Sequence, residues 1–67
     1  MEKFGMRLRE LRAEKNVRQK DVALDLGIST TCYAGYEQGY HEPDFKTLCE
    51  IARYFGVTCD YLLGMEE

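Results

Sequence analysis

The stretch Arg18–Gly39 constrains the fold of this chain more than any other, because its pattern fits two short helices joined by one tight turn. Three apolar residues share a helical face in its first half: Val22, Ala23 and Leu26. Gly27 follows directly and tolerates the positive φ with which helices often end. Ser29 then stands where an N-cap hydroxyl can accept a hydrogen bond from the free amides of a second helix. The stretch therefore predicts a helix, a Gly-containing turn and a second, capped helix that ends at Gly39.

Helical patterns also flank this stretch, so that the whole chain fits one domain. Two further inward stripes have helical spacing: Phe4, Leu8 and Leu11 before it, and Phe45, Leu48, Ile51, Ala52 and Phe55 after it. The predicted helices cover about Glu2–Lys15, Gln19–Leu26, Thr30–Gln38, Phe45–Phe55 and Cys59–Leu63. A chain of 67 residues allows one domain. The sequence therefore predicts an all-α fold, a compact five-helix bundle spanning residues 1–67.

The charges are unevenly distributed along the chain. The formal net charge of −3 by itself disfavours a nucleic-acid partner, because a basic patch is the usual footprint of such proteins. However, residues 1–20 hold seven Lys or Arg against three Glu, whereas residues 21–67 hold two cations against nine carboxylates. We therefore expect one basic end that steers a polyanion to one face, although more weakly than a strongly basic domain would.

Several classes of function lack their usual signature. Cys32, Cys49 and Cys59 are an odd number without C-x-x-C spacing, so we expect reduced, mostly packed thiols and neither a disulfide framework nor a zinc site. No Gly-rich phosphate loop, H-E-x-x-H or serine-nucleophile motif occurs, which predicts no enzyme and no cofactor. No apolar run approaches the roughly 20 residues of a membrane span, and no signal peptide is visible. A cytoplasmic protein without a membrane partner is expected.

The chain resembles the helix-turn-helix domains of the Cro and phage-repressor type, also called XRE-like or lambda-repressor-like. The residues that carry the resemblance are Gln19, Ala23, Leu26-Gly27-Ile28-Ser29, Tyr33, Tyr36-Glu37, Gly39 and Pro43. Flanking segments match as well, so the resemblance extends from about Phe4 to Gly64. It implies a sequence-specific DNA-binding transcription regulator, expected to be a repressor, whose helix 3 (about 30–38) enters the major groove. A homodimer would then read a palindromic site with two recognition helices about 34 Å apart.

The resemblance implies base-reading side chains at four positions of helix 3: Thr30, Thr31, Ala34 and Gly35. Members of this family often have arginine or glutamine at the position of Thr30, and here no Lys or Arg lies between residues 29 and 41. A threonine offers one hydroxyl and one methyl group, whereas a bidentate contact contributes about 1–3 kcal/mol of discrimination. We therefore expect modest affinity and specificity from one domain. Alternatively, Gly35 lets the backbone of the helix approach the DNA more closely.

Contacts to the DNA backbone are expected around the ends of the helices. The free backbone amides at a helix N-terminus can bind an anion, so we expect the start of helix 2 to be a phosphate-binding site. The candidate phosphate-binding residues are Arg18, Gln19, Cys32, Gln38, Tyr40, His41 and Lys46. For His41, the single histidine of the chain, an exposed loop residue without a ligand is the alternative interpretation.

The resemblance also implies structural roles and leaves a second function open. Arg12 would form a partly buried salt bridge with Glu37, and the alternative is an exposed arginine whose pair contributes about 0–1 kcal/mol. Tyr61 and Leu63 would contribute to a dimer contact near the C-terminal end. The same fold can also serve as a protein-interaction module, or as the antitoxin of a toxin–antitoxin pair, with weak DNA binding. The cation-free helix 3 is the feature that keeps this alternative open.

Overall fold

Five α-helices and their connecting loops form the fold. The computed structural model describes residues 2–66; Met1 and Glu67, which the predicted domain 1–67 includes, lie outside the described residues. The helices are α1 (Glu2–Lys15), α2 (Gln19–Leu26), α3 (Thr30–Gln38), α4 (Phe45–Phe55) and α5 (Cys59–Leu62), and residues 2–66 contain no strand. The predicted fold class is confirmed, and only α5 differs in its bounds, ending one residue early. None of the helices described has the length and apolar content needed to cross a bilayer.

The core forms where the inward stripes of the helices meet. α1 packs against α3 and α5, and α2 packs against α3 and α4, so that α3 lies between the first two helices at one side of the bundle. The buried apolar residues are Phe4, Leu8, Leu11, Val22, Ala23, Tyr33, Tyr36, Ile51, Ala52 and Leu62. Most belong to the stripes that the sequence predicts, which confirms the helical periodicity as the guide to this core.

The prediction that Phe45 faces inward is wrong. Phe45 is the first residue of α4, directly after the N-cap Asp44, and 86% of its surface is exposed. α2 and α5 pack on α4, and the buried residues of α4, Ile51 and Ala52, lie later in the helix than Phe45. Helical spacing places Phe45 on the same face of α4 as Ile51 and Ala52. At the first residue of the helix, however, the neighbouring helices do not cover that face.

The cysteines are less packed than predicted. All three thiols are free; Cys32 and Cys59 are half-buried, whereas Cys49 is exposed on α4. The expectation of packing is therefore wrong for Cys49.

A close approach of two backbones fixes α3 against α1. A Cβ atom on Gly5 would overlap the carbonyl oxygen of Glu37 and lie 3.0 Å from its carbonyl carbon. Arg9 donates from Nη1 to the same carbonyl oxygen over 2.6 Å, which satisfies an acceptor in the last turn of α3. Gly inside a helix costs roughly 1 kcal/mol relative to Ala. At Gly5 that cost is offset, because only glycine permits this contact between α1 and the end of α3.

Candidate nucleic-acid interface

The turn between α2 and α3 is built as the sequence predicts. Gly27 ends α2 with φ of 73°, a left-handed conformation that glycine adopts without strain. Ile28 donates its amide to the carbonyl of Ala23 over 3.0 Å, which closes the turn. Ser29 is the N-cap of α3, and its Oγ accepts a hydrogen bond from the amide of Cys32 at 3.0 Å. This turn sets the direction in which α3 leaves the bundle.

The first turn of α3 is open to solvent on its outer side. Thr30 and Thr31 are both exposed, as the sequence predicts for side chains that could reach a base edge. Ala34, one turn later, is half-buried and offers only part of its methyl group. The first turn therefore presents two hydroxyls and two methyl groups, without a charged side chain of its own.

The inner side of α3 carries aromatic side chains into the core. Tyr33 is fully buried, and Tyr36 is 6% exposed. The Tyr36 ring packs edge-on against Phe4 and Tyr33, each with 6.4 Å between ring centroids, a geometry that aromatic pairs favour. Burial raises the pKa of Tyr36 to about 12, so this hydroxyl stays protonated at neutral pH. The aromatic anchors prevent α3 from rolling on the surface of the bundle.

The prediction that Gly35 lies on the free outward face is wrong. Gly35 is buried, and the imidazole of His41 from the following loop covers it. The Nε2 atom of His41 lies 3.0 Å from the carbonyl oxygen of Cys32, and the ring packs edge-on against Tyr36 with centroids 5.0 Å apart. The alternative in which the backbone of α3 approaches DNA at Gly35 is therefore blocked in this conformation.

A buried carboxylate joins α1, α2 and α3. Glu37 is 3% exposed, and its Oε2 accepts from Arg12 Nε at 2.7 Å while its Oε1 accepts from Arg12 Nη2 and Gln19 Nε2, each at 3.1 Å. Burial raises the pKa of Glu37, but the hydrogen bonds from Arg12 and Gln19, together with the nearby Tyr33 hydroxyl, lower it by more, so the net pKa lies below its ordinary value. The predicted Arg12–Glu37 salt bridge is present, and it ties the end of α3 to the two preceding helices.

The Tyr33 hydroxyl belongs to the same buried cluster. It is buried and has no partner with good hydrogen-bond geometry among residues 2–66, although it faces Glu37. Burial, followed by the nearby Glu37 carboxylate, raises the pKa of the Tyr33 phenol well above its ordinary value. Tyr33 therefore remains neutral and adds a dipole, not a charge, beside the carboxylate.

Of the predicted phosphate-binding residues, two are already engaged inside the protein. Gln19 uses its amide nitrogen to brace Glu37. Cys32 donates its amide to Ser29, and its Sγ lies 3.4 Å from the Tyr36 hydroxyl. Because the donors of Cys32 face the protein, its geometry does not support a phosphate contact.

The remaining phosphate candidates are exposed on the surface. Arg18 pairs with Asp21 over 3.2 Å, but its side chain is 70% exposed and can exchange this partner for a phosphate. The other exposed candidates are Gln38, Tyr40, His41 and Lys46. Gln38 and Tyr40 lie at the C-terminal end of α3, and His41 packs on Gly35 of the same helix.

Sequence reasoning missed Lys20 as a member of this surface. Lys20 lines an open groove of about 410 Å³ together with the carboxylate of Asp21, with Ser29 and Thr30, and with the apolar side chains of Leu24 and Ile28. A lysine in the first turn of a helix opposes the helix macrodipole, which is the sequence signal that could have identified it. Lys20 thus supplies a cation beside the exposed first turn of α3, which has none.

The predicted dimer residues lie near the C-terminal end. Tyr61 and Leu63 are both half-buried. The guanidinium of Arg7 lies 4.2 Å from the Tyr61 ring centroid and also donates to the Tyr61 carbonyl oxygen. One face of the Tyr61 ring is therefore occupied within the same chain.

Known proteins with similar sequences are transcription regulators. The chain is 48% identical over 61 residues to the HTH-type transcriptional regulator AnsR of Bacillus subtilis, covering 91% of this chain and 53% of AnsR. It is 38% identical over 64 residues to ImmR of Bacillus subtilis, covering 96% of this chain and 50% of ImmR. It is 31% identical over 64 residues to the cryptic phage CTXphi transcriptional repressor RstR of Vibrio cholerae, covering 96% of this chain and 58% of RstR. The chain thus spans about half the length of these relatives.

The fold also matches a solved structure and a family model. The crystal structure of the P22 c2 repressor in complex with a synthetic operator superposes with a TM-score of 0.90, at 24% identity, covering 98% of this chain and 100% of that one. This likeness concerns the fold. The helix-turn-helix family model HTH_3 matches residues 8–62, which include all of α2, α3, α4 and α5. The chain therefore belongs to the HTH_3 helix-turn-helix family.

Proposed function

We propose that this domain is the sequence-specific DNA-binding part of a transcription regulator of the repressor type, with α3 as its recognition helix. The observation that carries the proposal is the exposure of Thr30 and Thr31 on the first turn of a helix whose other end is anchored by a buried carboxylate. A helix held in this way is preorganised for a groove, because little conformational freedom is lost on binding. The regulators among the relatives, and the operator bound by the P22 c2 repressor, support the same interpretation.

The charge distribution determines what kind of binding we expect. Cations lie around α3 and not on it: Lys20 and Arg18 at the start of α2, and Lys46 at the start of α4. Such residues neutralise phosphates without reading bases, so affinity should fall as the salt concentration rises. The hydroxyls of Thr30 and Thr31 would then add a modest sequence preference. The proposal includes no catalysis and a cytoplasmic place of action.

A second copy is part of the proposal because one domain is too small for two grooves. The Cα extents of the domain are 28 × 23 × 19 Å, whereas successive major grooves on one face of a duplex lie about 34 Å apart. One copy therefore reads one half-site, and a palindromic site requires two. We propose Tyr61 and Leu63, which are both half-buried near the C-terminal end, as part of the contact between the copies.

A protein-interaction module is the second candidate, favoured by one observation. The segment from Ser29 to Tyr40 contains no Lys or Arg, and bidentate base contacts most often come from such side chains. In that case the exposed surface of α3 would bind a protein, for example the toxin partner of an antitoxin, and DNA would bind only weakly.

Site selection from a randomised duplex library, followed by titration of the selected duplex at several salt concentrations, distinguishes the two candidates. We expect an enriched palindromic site whose half-site spacing reports two copies. The variant Thr30→Ala/Thr31→Ala should weaken the sequence preference, whereas Thr47→Ala, which removes one threonine hydroxyl and one methyl group from α4, should leave it unchanged. If the wild-type chain prefers no sequence over bulk DNA, the regulator proposal fails.

A further inference from the structure

A side chain from outside α3 fills a notch on the outer part of the helix. Gly35 has no side chain, and the His41 ring lies against it so closely that a Cβ on Gly35 would overlap Cε1 and lie 2.9 Å from Nε2 and 3.0 Å from Nδ1. The ring is held by the carbonyl oxygen of Cys32 at 3.0 Å and by an edge-on contact with Tyr36. Contacts from three residues of one helix thus fix the ring, although His41 itself remains exposed.

This fixed imidazole matters because α3 offers few polar groups for reading bases. We propose that His41 is a specificity-determining residue of the recognition surface, occupying the place of the side chain that Gly35 lacks. The inference rests on the proposed function, and it changes the expected role of His41 from a phosphate contact to a base contact. A loop residue thereby becomes part of the surface that α3 presents to the major groove.

The hydrogen bond to Cys32 decides which chemistry the ring offers. A carbonyl oxygen only accepts, so Nε2 of His41 must carry the proton, and a neutral imidazole has just one N–H. Among residues 2–66, no hydrogen bond is made to Nδ1, so a neutral imidazole with its proton on Nε2 presents this atom as an acceptor. In the major groove, an acceptor pairs with the exocyclic amino group of adenine N6 or cytosine N4.

Two single substitutions should perturb this ring by independent routes. His41→Ala removes the imidazole. Gly35→Ala keeps the imidazole but places a methyl group where the ring packs. Because Ala has a higher helix propensity than Gly, this change should not weaken the helix itself. Each should reduce discrimination at the same base pair of the half-site by roughly 5–10-fold, as expected for one hydrogen bond to a base edge. The double variant Gly35→Ala/His41→Ala should lose no more than either single variant, because both remove the same contact.

The test is site selection with the wild-type chain and the three variants, followed by salt titrations on the selected duplex. Cys49→Ala, an exposed change on α4, is the control and should keep the wild-type profile. We expect an altered preference at one position of each half-site and an unchanged salt slope. A uniform loss of affinity over all sequences with a salt slope smaller by about one would indicate a phosphate contact and overturn the inference.

Two further outcomes separate this inference from the proposed function. If the wild-type chain selects a site and the Gly35 and His41 variants select the same site, the inference fails and the proposed function stands. If the wild-type chain selects no site, both fail. An NMR measurement tests the geometry independently: the His41 Hε1 proton should show a strong cross-relaxation peak with the Gly35 Hα protons, and its absence would overturn the seating of the ring.

Discussion

The substitution Arg12→Ala tests whether the buried carboxylate cluster holds the recognition helix. Arg12 supplies two of the three side-chain donors that reach the carboxylate of Glu37, and Gln19 supplies the third. The Glu37 side chain is 1% exposed, whereas that of Arg12 is 23% exposed. Removing Arg12 therefore leaves a carboxylate that is almost fully buried with one neutral donor.

The expected loss in free energy of unfolding follows from this difference in burial between Arg12 and Glu37. Breaking a buried pair by removing one partner costs about 3–5 kcal/mol. Because Arg12 is partly hydrated and water can enter the space that it leaves, we expect the lower end, about 3 kcal/mol. A domain of this size has a free energy of unfolding of roughly 3–10 kcal/mol, so the loss is a large fraction of it. The melting temperature should fall by roughly 12–24 °C, at about 4–8 °C per kcal/mol.

Equilibrium urea unfolding followed by far-UV circular dichroism, together with thermal melts, measures this effect. Arg18→Ala is the matched control, since Arg18 forms the same kind of pair with Asp21 but on the surface, and it should change stability far less. In Arg12→Ala/Glu37→Gln the buried charge is also gone, so this variant should be more stable than Arg12→Ala alone. If Arg12→Ala is no more destabilising than Arg18→Ala, the argument for a buried anchor is refuted.

Three further predictions concern stability. Folding lowers the pKa of Glu37, so its ionised carboxylate contributes to the free energy of unfolding. This contribution is fully present above the ordinary glutamate pKa of 4.5 and is lost as the pH falls through the lower pKa of the folded state. The variant Glu37→Gln should weaken this acid dependence in urea titrations at stepped pH. Gly5→Ala should destabilise despite the higher helix propensity of Ala, since its Cβ would overlap the Glu37 carbonyl oxygen, and a stabilised variant would contradict the close approach. Ser29→Ala removes the N-cap of α3 and should cost about 1 kcal/mol in the same assay, whereas Ser29→Asp should retain most of the stability.

Local sequence signals were enough to predict the helices. Capping residues such as Ser29 and terminators such as Gly27 act through their nearest neighbours, so the bounds of four helices agree with the prediction. At α5 the difference is one residue, because Leu63 is the C-cap that follows the last helical residue, Leu62. The Arg12–Glu37 pair, implied by resemblance to a known family, is also present.

The positions of side chains between elements required the tertiary structure. Phe45 has the spacing of a core residue, yet no helix lies opposite it, and spacing along one helix carries no information on where its neighbours end. Helical spacing places Gly35 on the outward face of α3, yet the imidazole ring of His41 covers it. That contact depends on how the chain turns after Gly39, the C-cap of α3.

The sequence by itself determined the helices, their inward faces and the family, because these depend on local hydrogen bonding and on the period of the α-helix. Only the tertiary structure decided which groups on the outer part of α3 are available to a ligand. Whether a side chain such as His41 or Lys20 joins that surface depends on contacts between residues distant in the chain, and such contacts leave no periodic signal in a single sequence.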